Sequence, residues 1–360
     1  MRRMILSGLA LASVFALLAV ACGGSGAPTA PASGSAPASP AATPTSSPDD
    51  PVIMAAGDIA CSSLPAGRQH RCGYDRVARL IDPAKVDAFL ALGDLQYLRG
   101  GYGNFMRYYD RYFGAVKDIT YPVPGNHETY TRYMAGYIKY FRSRVHTPGA
   151  YVTNGGFYSF DLGDWHMVAL NSQLCEGGTW DWKTDARGFP VVKDPLFLEG
   201  CGPGSAEYEW LKADLELNSK PCTLVYYHHP VLVWNEYYPA PYWPGVFYYS
   251  MIPLWQLLEK QRVDVVLNGH YHNYQRFQPQ DAYGRSDPNG PTEFIVGTGG
   301  DTHEHFPNPN KIPQPDTYVT GNDTSFGALQ MTLHTNGFDY RFVPAPGEQP
   351  FQDSGSAMCH

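Results

Sequence analysis

The strongest indication of the fold is the stretch Val86-Asp87-Ala88-Phe89-Leu90-Ala91-Leu92-Gly93-Asp94-Leu95-Gln96-Tyr97. Its first seven residues are mostly apolar and predict a buried β-strand, which Gly93 ends in a turn. Asp94 therefore stands just past the carboxyl end of a strand, where open α/β sheets bind their ligands. Tyr97 follows three residues later, so one helical turn would bring its phenol to the side of Asp94.

Four further apolar runs end in polar residues of a similar kind. These candidate strands cover residues 52–56, 119–123, 223–227 and 263–267. The polar residues that follow them are Asp58, then Asn126, His127 and Glu128, then His228 and His229, and finally His270 and His272. A single residue of this kind commonly caps a turn or forms a hydrogen bond in the core. Residues of metal-ligand type after all five candidate strands instead predict a metal site. The alternation of strands and helices up to Leu267, followed by further strands, predicts a mixed-sheet α/β domain.

The residue types suit a pair of metal ions. Two divalent or trivalent cations about 3.5–4 Å apart need a bridging carboxylate and a mixture of imidazole and oxygen ligands. His270 and His272 are two residues apart, so in extended backbone their side chains would point to one face and serve neighbouring metals. The amide oxygen of Asn126 would complete a shell without adding charge.

Five motifs with these residues occur in a characteristic order. They are Gly57-Asp58, Gly93-Asp94-Leu95-Gln96-Tyr97, Gly125-Asn126-His127-Glu128, His228 and Gly269-His270-Tyr271-His272. Together they resemble the calcineurin-like metallophosphoesterases, and most of all their purple acid phosphatase branch. Many members of the superfamily have a histidine where this chain has Ala60. Tyr97 compensates, because it stands where purple acid phosphatases bind ferric iron through a tyrosinate.

The resemblance implies a four-layer α/β/β/α sandwich of two mixed sheets, with a dinuclear metal site at the strand ends. One metal would be held by Asp58, Asp94, Tyr97 and His272, and the other by Asp94, Asn126, His228 and His270, with Asp94 bridging. Fe(III) is expected at the Tyr97 position, while the second metal is zinc, iron or manganese. His228 is preferred to His229 because the ligand histidine of the family lies two residues before a proline, here Pro230. His229 remains the alternative.

The activity implied by the resemblance is hydrolysis of phosphate monoesters by attack of a metal-bound hydroxide, as in acid phosphatases. His127 is expected to protonate the leaving alkoxide, since it neighbours a ligand without being one. Glu128 is expected to orient His127 or the next turn, or else to be a carboxylate at a helix N-terminus. A phosphodiesterase or nucleotidase would use the same metals. A catalytically inactive surface-binding lipoprotein would keep the same fold.

Several other polar residues receive a structural interpretation. Asp301, His303, Glu304 and His305 follow the glycine-rich turn 297–300. We interpret them as a polar loop near the mouth of the site, because their spacing fixes no ligand geometry. Asn171 is a minor candidate for contact with the ligands. The aromatic segment 234–249 either packs in the core or forms a wall for the substrate.

The N-terminal 50 residues have the composition of an export signal and a linker. Arg2 and Arg3 precede an apolar stretch, and residues 18–22 resemble a bacterial lipoprotein box with Cys22 as the lipidated residue. Ordinary signal cleavage is the alternative. Residues 23–50 are mostly Gly, Ala, Pro, Ser and Thr and predict a disordered linker. Residues 51–360 would then form the metallophosphoesterase domain, exported as a cell-surface lipoprotein of a bacterium or otherwise secreted.

Charge and cysteine content narrow the partners and the compartment. The formal net charge is −8 and there is no basic run, which argues against a nucleic-acid partner. We expect a phosphorylated small-molecule substrate, and membrane contact only through the lipid anchor. Six cysteines besides Cys22 suggest disulfides in an exported chain. Nearness in sequence favours Cys61–Cys72 and Cys175–Cys201, which leaves Cys222 to pair with Cys359.

Overall fold

The computed structural model describes residues 43–64, 72–145, 156–175, 183–184, 190–191, 200–235 and 249–360. The predicted signal peptide, Cys22, most of the predicted linker and most of the aromatic segment lie outside these residues. Residues Ala42–His360 form one compact unit. None of the helices in the described ranges combines the length and the apolar character that crossing a membrane requires.

Two large mixed sheets and one small sheet are built from the described strands. These are β1 (Val52–Ala56), β2 (Ala88–Leu92), β3 (Thr120–Val123), β4 (Tyr158–Leu162), β5 (Trp165–Ala169), β6 (Lys183–Thr184), β7 (Pro190–Val191), β8 (Cys222–Tyr226), β9 (Val265–Asn268), β10 (Tyr274–Phe277), β11 (Thr292–Val296), β12 (Tyr318–Asn322), β13 (Gly327–His334), β14 (Gly337–Pro344) and β15 (Ser354–Met358). The first sheet has the order β15-β14-β13-β1-β2-β3, and the second has β12-β10-β11-β9-β8-β5-β4. Strands β6 and β7 form a separate pair.

Helices precede or follow most of the parallel strands. The α-helices are Tyr74–Ala78, Tyr102–Asn104, Asp110–Phe113, Asn126–Thr129, Ala135–Phe141, Ala206–Leu217 and Ile252–Lys260. A π-helical segment, Phe105–Tyr109, joins the second and third of these. Short 3₁₀ segments cover Gly114–Ile119, Arg132–Met134, Arg142–Val145, Ser172–Leu174 and Tyr249–Met251.

Side chains alternate between the two faces of each strand, so the core contains three main hydrophobic clusters. On β1, Ile53 and Ala55 pack between the two sheets together with Leu224 of β8. Met54, one residue on, faces the opposite way and packs among side chains of helices on the outer side of the first sheet, such as Tyr109. A third cluster covers the outer side of the second sheet with helices Ala206–Leu217 and Ile252–Lys260. The predicted four-layer α/β/β/α sandwich of two mixed sheets is therefore confirmed.

The parallel strands bring the predicted site to one edge. Strands β1, β2 and β3 run parallel in the first sheet, and β5, β8, β9 and β11 run parallel in the second. Both β8 and β9 therefore end at the same edge of their sheet, as do β1, β2 and β3 of theirs. The three expected disulfides, Cys61–Cys72, Cys175–Cys201 and Cys222–Cys359, are present.

Candidate metal centre

Backbone hydrogen bonds continue past the strand ends and hold the site loops together. The N–H of Asp58 donates to the carbonyl of Gly93 at 3.0 Å, and the N–H of Gly269 donates to the carbonyl of His228 at 3.0 Å. Three of the site residues have positive φ angles, 60° at Asp58, 49° at Asp94 and 71° at His270. L-residues other than glycine rarely adopt this conformation, and it clusters at functional sites.

The backbone conformation at these loops differs from two local conformations that the sequence predicts. Residues 94–97 form an irregular segment and not a helical turn, because Gln96 pairs in a β-bridge with Ala60. Residues 270–272 form bends and not extended backbone. The side chains of Asp94 and Tyr97 still approach each other, and backbone hydrogen bonds from Asp58 and Ile59 to Gly93 and Asp94 hold the loops after β1 and β2 side by side.

The phenol of Tyr97 marks one group of donors. Its oxygen lies 2.8 Å from Oδ1 of Asp58, 3.1 Å from Oδ2 of Asp94 and 2.9 Å from Nε2 of His272. Burial, followed by the charges of Asp58 and Asp94, raises the pKa of Tyr97 well above its ordinary value. A tyrosinate at this position therefore needs a strong cation beside it, which ferric iron would provide.

The imidazole of His228 marks a second group. Its Nε2 lies 3.3 Å from Oδ1 of Asn126, 3.2 Å from Nδ1 of His270 and 3.3 Å from Oδ2 of Asp94. His228 and Asp94 are almost completely buried, with 0% and 2% exposure. A buried group of this composition matches the mixture of nitrogen and oxygen donors that zinc, iron and manganese accept.

Asp94 stands between the two groups. The same oxygen, Oδ2, faces Tyr97 on one side and His228 on the other, while Oδ1 accepts a hydrogen bond from the backbone N–H of His127 at 2.7 Å. Burial raises the pKa of Asp94, but His228 and His127 outweigh it and hold that pKa well below its usual range. This geometry suits a carboxylate that bridges two cations.

Contacts at Nδ1 orient the imidazole rings of His228 and His272. Nδ1 of His228 lies 2.8 Å from the carbonyl oxygen of Leu92, and Nδ1 of His272 lies 2.9 Å from Oγ1 of Thr302. Because a carbonyl can only accept, Nδ1 of His228 carries a proton, and Nε2 is the nitrogen that would bind a metal ion after losing its own proton. Leu92 and Thr302 are thus supporting residues that no sequence motif singled out.

The residues present fit two metal ions, as judged by their donor chemistry. Seven donors that the sequence motifs predicted come together at this edge, namely Asp58, Asp94, Tyr97, Asn126, His228, His270 and His272. They form two groups that share Asp94, as a bridged pair of cations requires.

A cavity of about 300 Å³ opens above these donors. Its wall includes His127, whose Nδ1 lies 2.8 Å from the carbonyl oxygen of Leu98. This contact places the proton on Nδ1 of the neutral ring and directs Nε2 towards Asp94, 3.8 Å from Oδ2. The His127 ring also packs on Tyr97, with 4.2 Å between ring centroids.

The family model of the calcineurin-like phosphoesterases matches residues 51–274, which hold all seven donors. The chain belongs to this family. Curated relatives include purple acid phosphatase 18 of Arabidopsis thaliana, 28% identical over 272 residues that cover 71% of this chain and 53% of the relative. Purple acid phosphatase 22 of the same plant is 26% identical over 269 residues, covering 70% of this chain and 52% of the relative.

A solved structure shows that the fold of this chain is also similar to that of a purple acid phosphatase. Purple acid phosphatase PPD1 from yellow lupin (Lupinus luteus) superposes with a TM-score of 0.62 at 18% identity, covering 86% of this chain and 53% of that chain. The chain spans about half the length of the curated relatives it matches. Both its sequence and its fold are similar to those of purple acid phosphatases, a family that implies a dinuclear metal centre.

Glu128 links the loop after β2 to the loop after β3. Its Oε1 accepts hydrogen bonds from the N–H groups of Leu95 at 3.0 Å and Gln96 at 3.2 Å, and its Oε2 accepts from the N–H of Gly125 at 2.8 Å. Burial, followed by the charge of Asp94, raises the pKa of Glu128 to about 8, while the backbone donors act in the opposite direction. The predicted helix N-terminal carboxylate thus also ties the loop after β2 to the loop after β3.

His229 lies beside His228 and His270, and one ring nitrogen of each of the three lies within 4.8 Å of the others. Its Nδ1 is 2.9 Å from Oγ of Ser172, and its ring centroid is 4.6 Å from that of His270. Burial and then the neighbouring His228 lower the pKa of His229 well below its ordinary value. The contacts of His228 with Asp94 and Asn126 favour His228 as the ligand, which stays a prediction.

The polar loop after the glycine-rich turn does not form a second cluster. His303 stacks on Phe326 with 4.0 Å between ring centroids, and Nδ1 of His305 pairs with Asp323 at 3.2 Å. Glu304 lines the cavity, and burial raises the pKa of its carboxyl. The interpretation as a loop near the mouth therefore agrees with the geometry. The backbone N–H of Asn171 donates to Oε1 of Glu207 at 2.6 Å, and its Oδ1 accepts from the N–H of Gln173 at 3.2 Å.

Proposed function

We propose that this chain is an exported phosphatase that hydrolyses phosphate monoesters at a dinuclear metal centre. The observation that carries the proposal is the position of Asp94, whose Oδ2 lies 3.1 Å from the Tyr97 oxygen and 3.3 Å from Nε2 of His228. A carboxylate oxygen shared by two donor groups is the arrangement that two-metal phosphoester hydrolysis requires. Family membership supports the same chemistry.

The two groups of donors define the proposed metal positions. Asp58, Asp94, Tyr97 and His272 would hold Fe(III), and Asp94, Asn126, His228 and His270 would hold zinc, iron or manganese. Two such cations, when bound, supply a hydroxide nucleophile at neutral pH and neutralise the charge of the phosphate oxygens. The chain itself supplies a buried frame that keeps the donors oriented, through contacts such as that of His228 with Leu92.

His127 is the proposed general acid. Its Nδ1 donates to the Leu98 carbonyl, so Nε2 is the atom that faces the cavity and can hold a proton for the leaving alkoxide. Its backbone N–H also holds Asp94. General acid assistance of this kind contributes about 10²–10⁴-fold to the rate.

The choice between monoesters and diesters is tested by one comparison. The metal-loaded protein is assayed with p-nitrophenyl phosphate and with bis(p-nitrophenyl) phosphate, which share a leaving group. We expect kcat/KM to be higher for the monoester. A higher value for the diester would replace the proposal with the phosphodiesterase or nucleotidase alternative. Hydrolysis of neither ester by a protein with two bound metals would favour the inactive surface-binding lipoprotein.

Export with lipidation at Cys22 completes the proposal. Three disulfides in the described residues support an oxidising compartment, since cytosolic thiols are kept reduced. The test is metabolic labelling with a radioactive fatty acid in a bacterial host, with the full chain and the Cys22→Ala variant. Label in the full chain alone would support the anchor, whereas an unlabelled, secreted full chain would favour ordinary signal cleavage.

A further inference from the structure

Two cavity residues have no part in the proposed chemistry. Among the described residues that line the cavity, six are the proposed donors or His127, and the other two are Tyr271 and Glu304. Because bound cations and His127 would engage the phosphate and the leaving oxygen in the proposed reaction, these two residues are left to contact the rest of the alcohol. They are therefore the described residues best placed to determine which alcohol is accepted.

Glu304 is held firmly at this position. Its N–H donates to the carbonyl of His272 at 3.0 Å, and its own carbonyl accepts from Nδ2 of Asn273 at 3.1 Å. Both contacts tie the Glu304 backbone to the segment that carries a proposed metal donor. Sites held by such backbone contacts keep their geometry during binding, which favours selectivity.

The carboxylate of Glu304 has a different environment from its backbone. Within the described part of the chain it accepts no hydrogen bond and forms no ion pair, although the residue is half-buried. The described cavity lining contains neither lysine nor arginine. Burial raises the pKa of this carboxyl overall, although the charge of His272 acts on it in the opposite direction and lowers that pKa. A half-buried carboxylate that accepts no hydrogen bond is costly, and at the cavity wall it disfavours an anionic alcohol and favours a cationic one.

We propose that Glu304 selects phosphate monoesters whose alcohol carries a primary ammonium group, that is, phosphorylated amino alcohols. The ammonium would donate a charge-assisted hydrogen bond to the Glu304 carboxylate while the phosphate occupies the metal centre. Hydrolysis adds water across the P–O bond and releases the amino alcohol and inorganic phosphate. A cavity of about 300 Å³ lies at the small end of ligand pockets and favours such short alcohols. The inference rests on the proposed phosphatase function.

The experiment compares O-phosphoethanolamine with glycerol 2-phosphate, whose alcohol is neutral, as substrates of the metal-loaded full chain. We expect a higher kcat/KM for O-phosphoethanolamine, and a fall of about tenfold or more in the ratio of the two values in Glu304→Gln. Glu216→Gln is the matched control, because it removes the same charge from an exposed position of helix Ala206–Leu217. Its ratio should equal that of the unmodified chain.

Each other outcome identifies which idea fails. If p-nitrophenyl phosphate is hydrolysed but the ratio is unchanged in Glu304→Gln, the selectivity of Glu304 is wrong and the phosphatase function stands. If no monoester is hydrolysed, the phosphatase function itself is wrong. If elemental analysis finds that Glu304→Gln has lost a metal ion while Glu216→Gln has not, Glu304 belongs to the metal centre and the inference is overturned.

Discussion

The phenolic oxygen of Tyr97 lies 2.8 Å from Oδ1 of Asp58, although 39 residues separate the two along the chain. The parallel pairing of β1 and β2 causes this contact, because it brings the loops after both strands to one edge. A buried phenol beside a carboxylate has a raised pKa, so its ionised form depends on a neighbouring cation. The pair therefore reports directly on metal binding.

Replacing Tyr97 by Phe tests the ferric position. The aerobically purified protein should show a broad charge-transfer band at about 500–600 nm, as expected by analogy with other tyrosine-ligated ferric centres. Tyr97→Phe should abolish the band, since the phenylalanine ring has no oxygen to bind iron. Absorption spectra and elemental analysis provide the measurement. A coloured Tyr97→Phe protein would contradict the assignment, and a colourless unmodified protein with two zinc or manganese ions would remove the ferric part of the proposal.

Replacing His127 by Ala tests the general acid. We expect kcat to fall about 10²–10⁴-fold for alkyl phosphates and much less for p-nitrophenyl phosphate, whose leaving group needs little protonation. Metal content should be unchanged. His305→Ala is the control, because that imidazole is exposed in the neighbouring loop. An equal loss for good and poor leaving groups would show that His127 acts in another way.

Replacing Glu128 by Gln tests the link between the loops after β2 and β3. The amide nitrogen of glutamine would face a backbone N–H, so one buried donor loses its acceptor. The free energy of unfolding of the metal-free protein should fall by about 1–3 kcal/mol. Urea denaturation of the metal-free chain gives the value, with Glu216→Gln as the exposed counterpart. Equal stability of the two variants would mean that the three contacts contribute little.

A pH-dependent contribution to stability is expected at His166, on the second sheet. Its two ring nitrogens lie 2.9 Å from Asp161 and 2.8 Å from Asp214, so both contacts are satisfied only by the imidazolium. Burial lowers the pKa of His166, but the hydrogen bonds to Asp214 and Asp161 raise it overall. This stabilisation is therefore fully present below the unfolded-state pKa of about 6.5 and disappears as pH rises through the higher folded-state value.

The measurement for His166 is the urea midpoint of the unmodified chain and of His166→Gln between pH 5.5 and pH 9, in steps of about half a unit. The variant should be less stable at the acidic end, and the difference should shrink as pH increases. A difference that stays constant across this range would show that the histidine acts through packing and not through its charge.

Strands with continuous apolar runs were predictable from sequence, whereas β10, β12 and β15 were not. β1, β2, β8 and β9 are buried on both faces, so nearly every residue of each is apolar. β15 reads Ser-Gly-Ser-Ala-Met, which has little strand propensity, and it is held by pairing with β14 and by the disulfide of Cys359. β10 and β12 were missed because neither is a continuous apolar run, and they form strands through the pairing of β10 with β12 and of β10 with β11.

Ligand-type side chains after buried strands were sufficient to predict the seven donors, and nearness in sequence to predict Cys61–Cys72 and Cys175–Cys201, because these are local patterns. Cys222–Cys359 followed as the remaining pair, and the two-sheet sandwich followed from the family resemblance. Tertiary structure alone revealed which oxygen of Asp94 contacts both Tyr97 and His228, that Glu128 joins two loops, and that Glu304 lines the cavity. These relationships depend on how loops from two different sheets turn at a common edge. The positive φ angles of Asp58 and His270 set those turns, and the local sequence carries no signal for them.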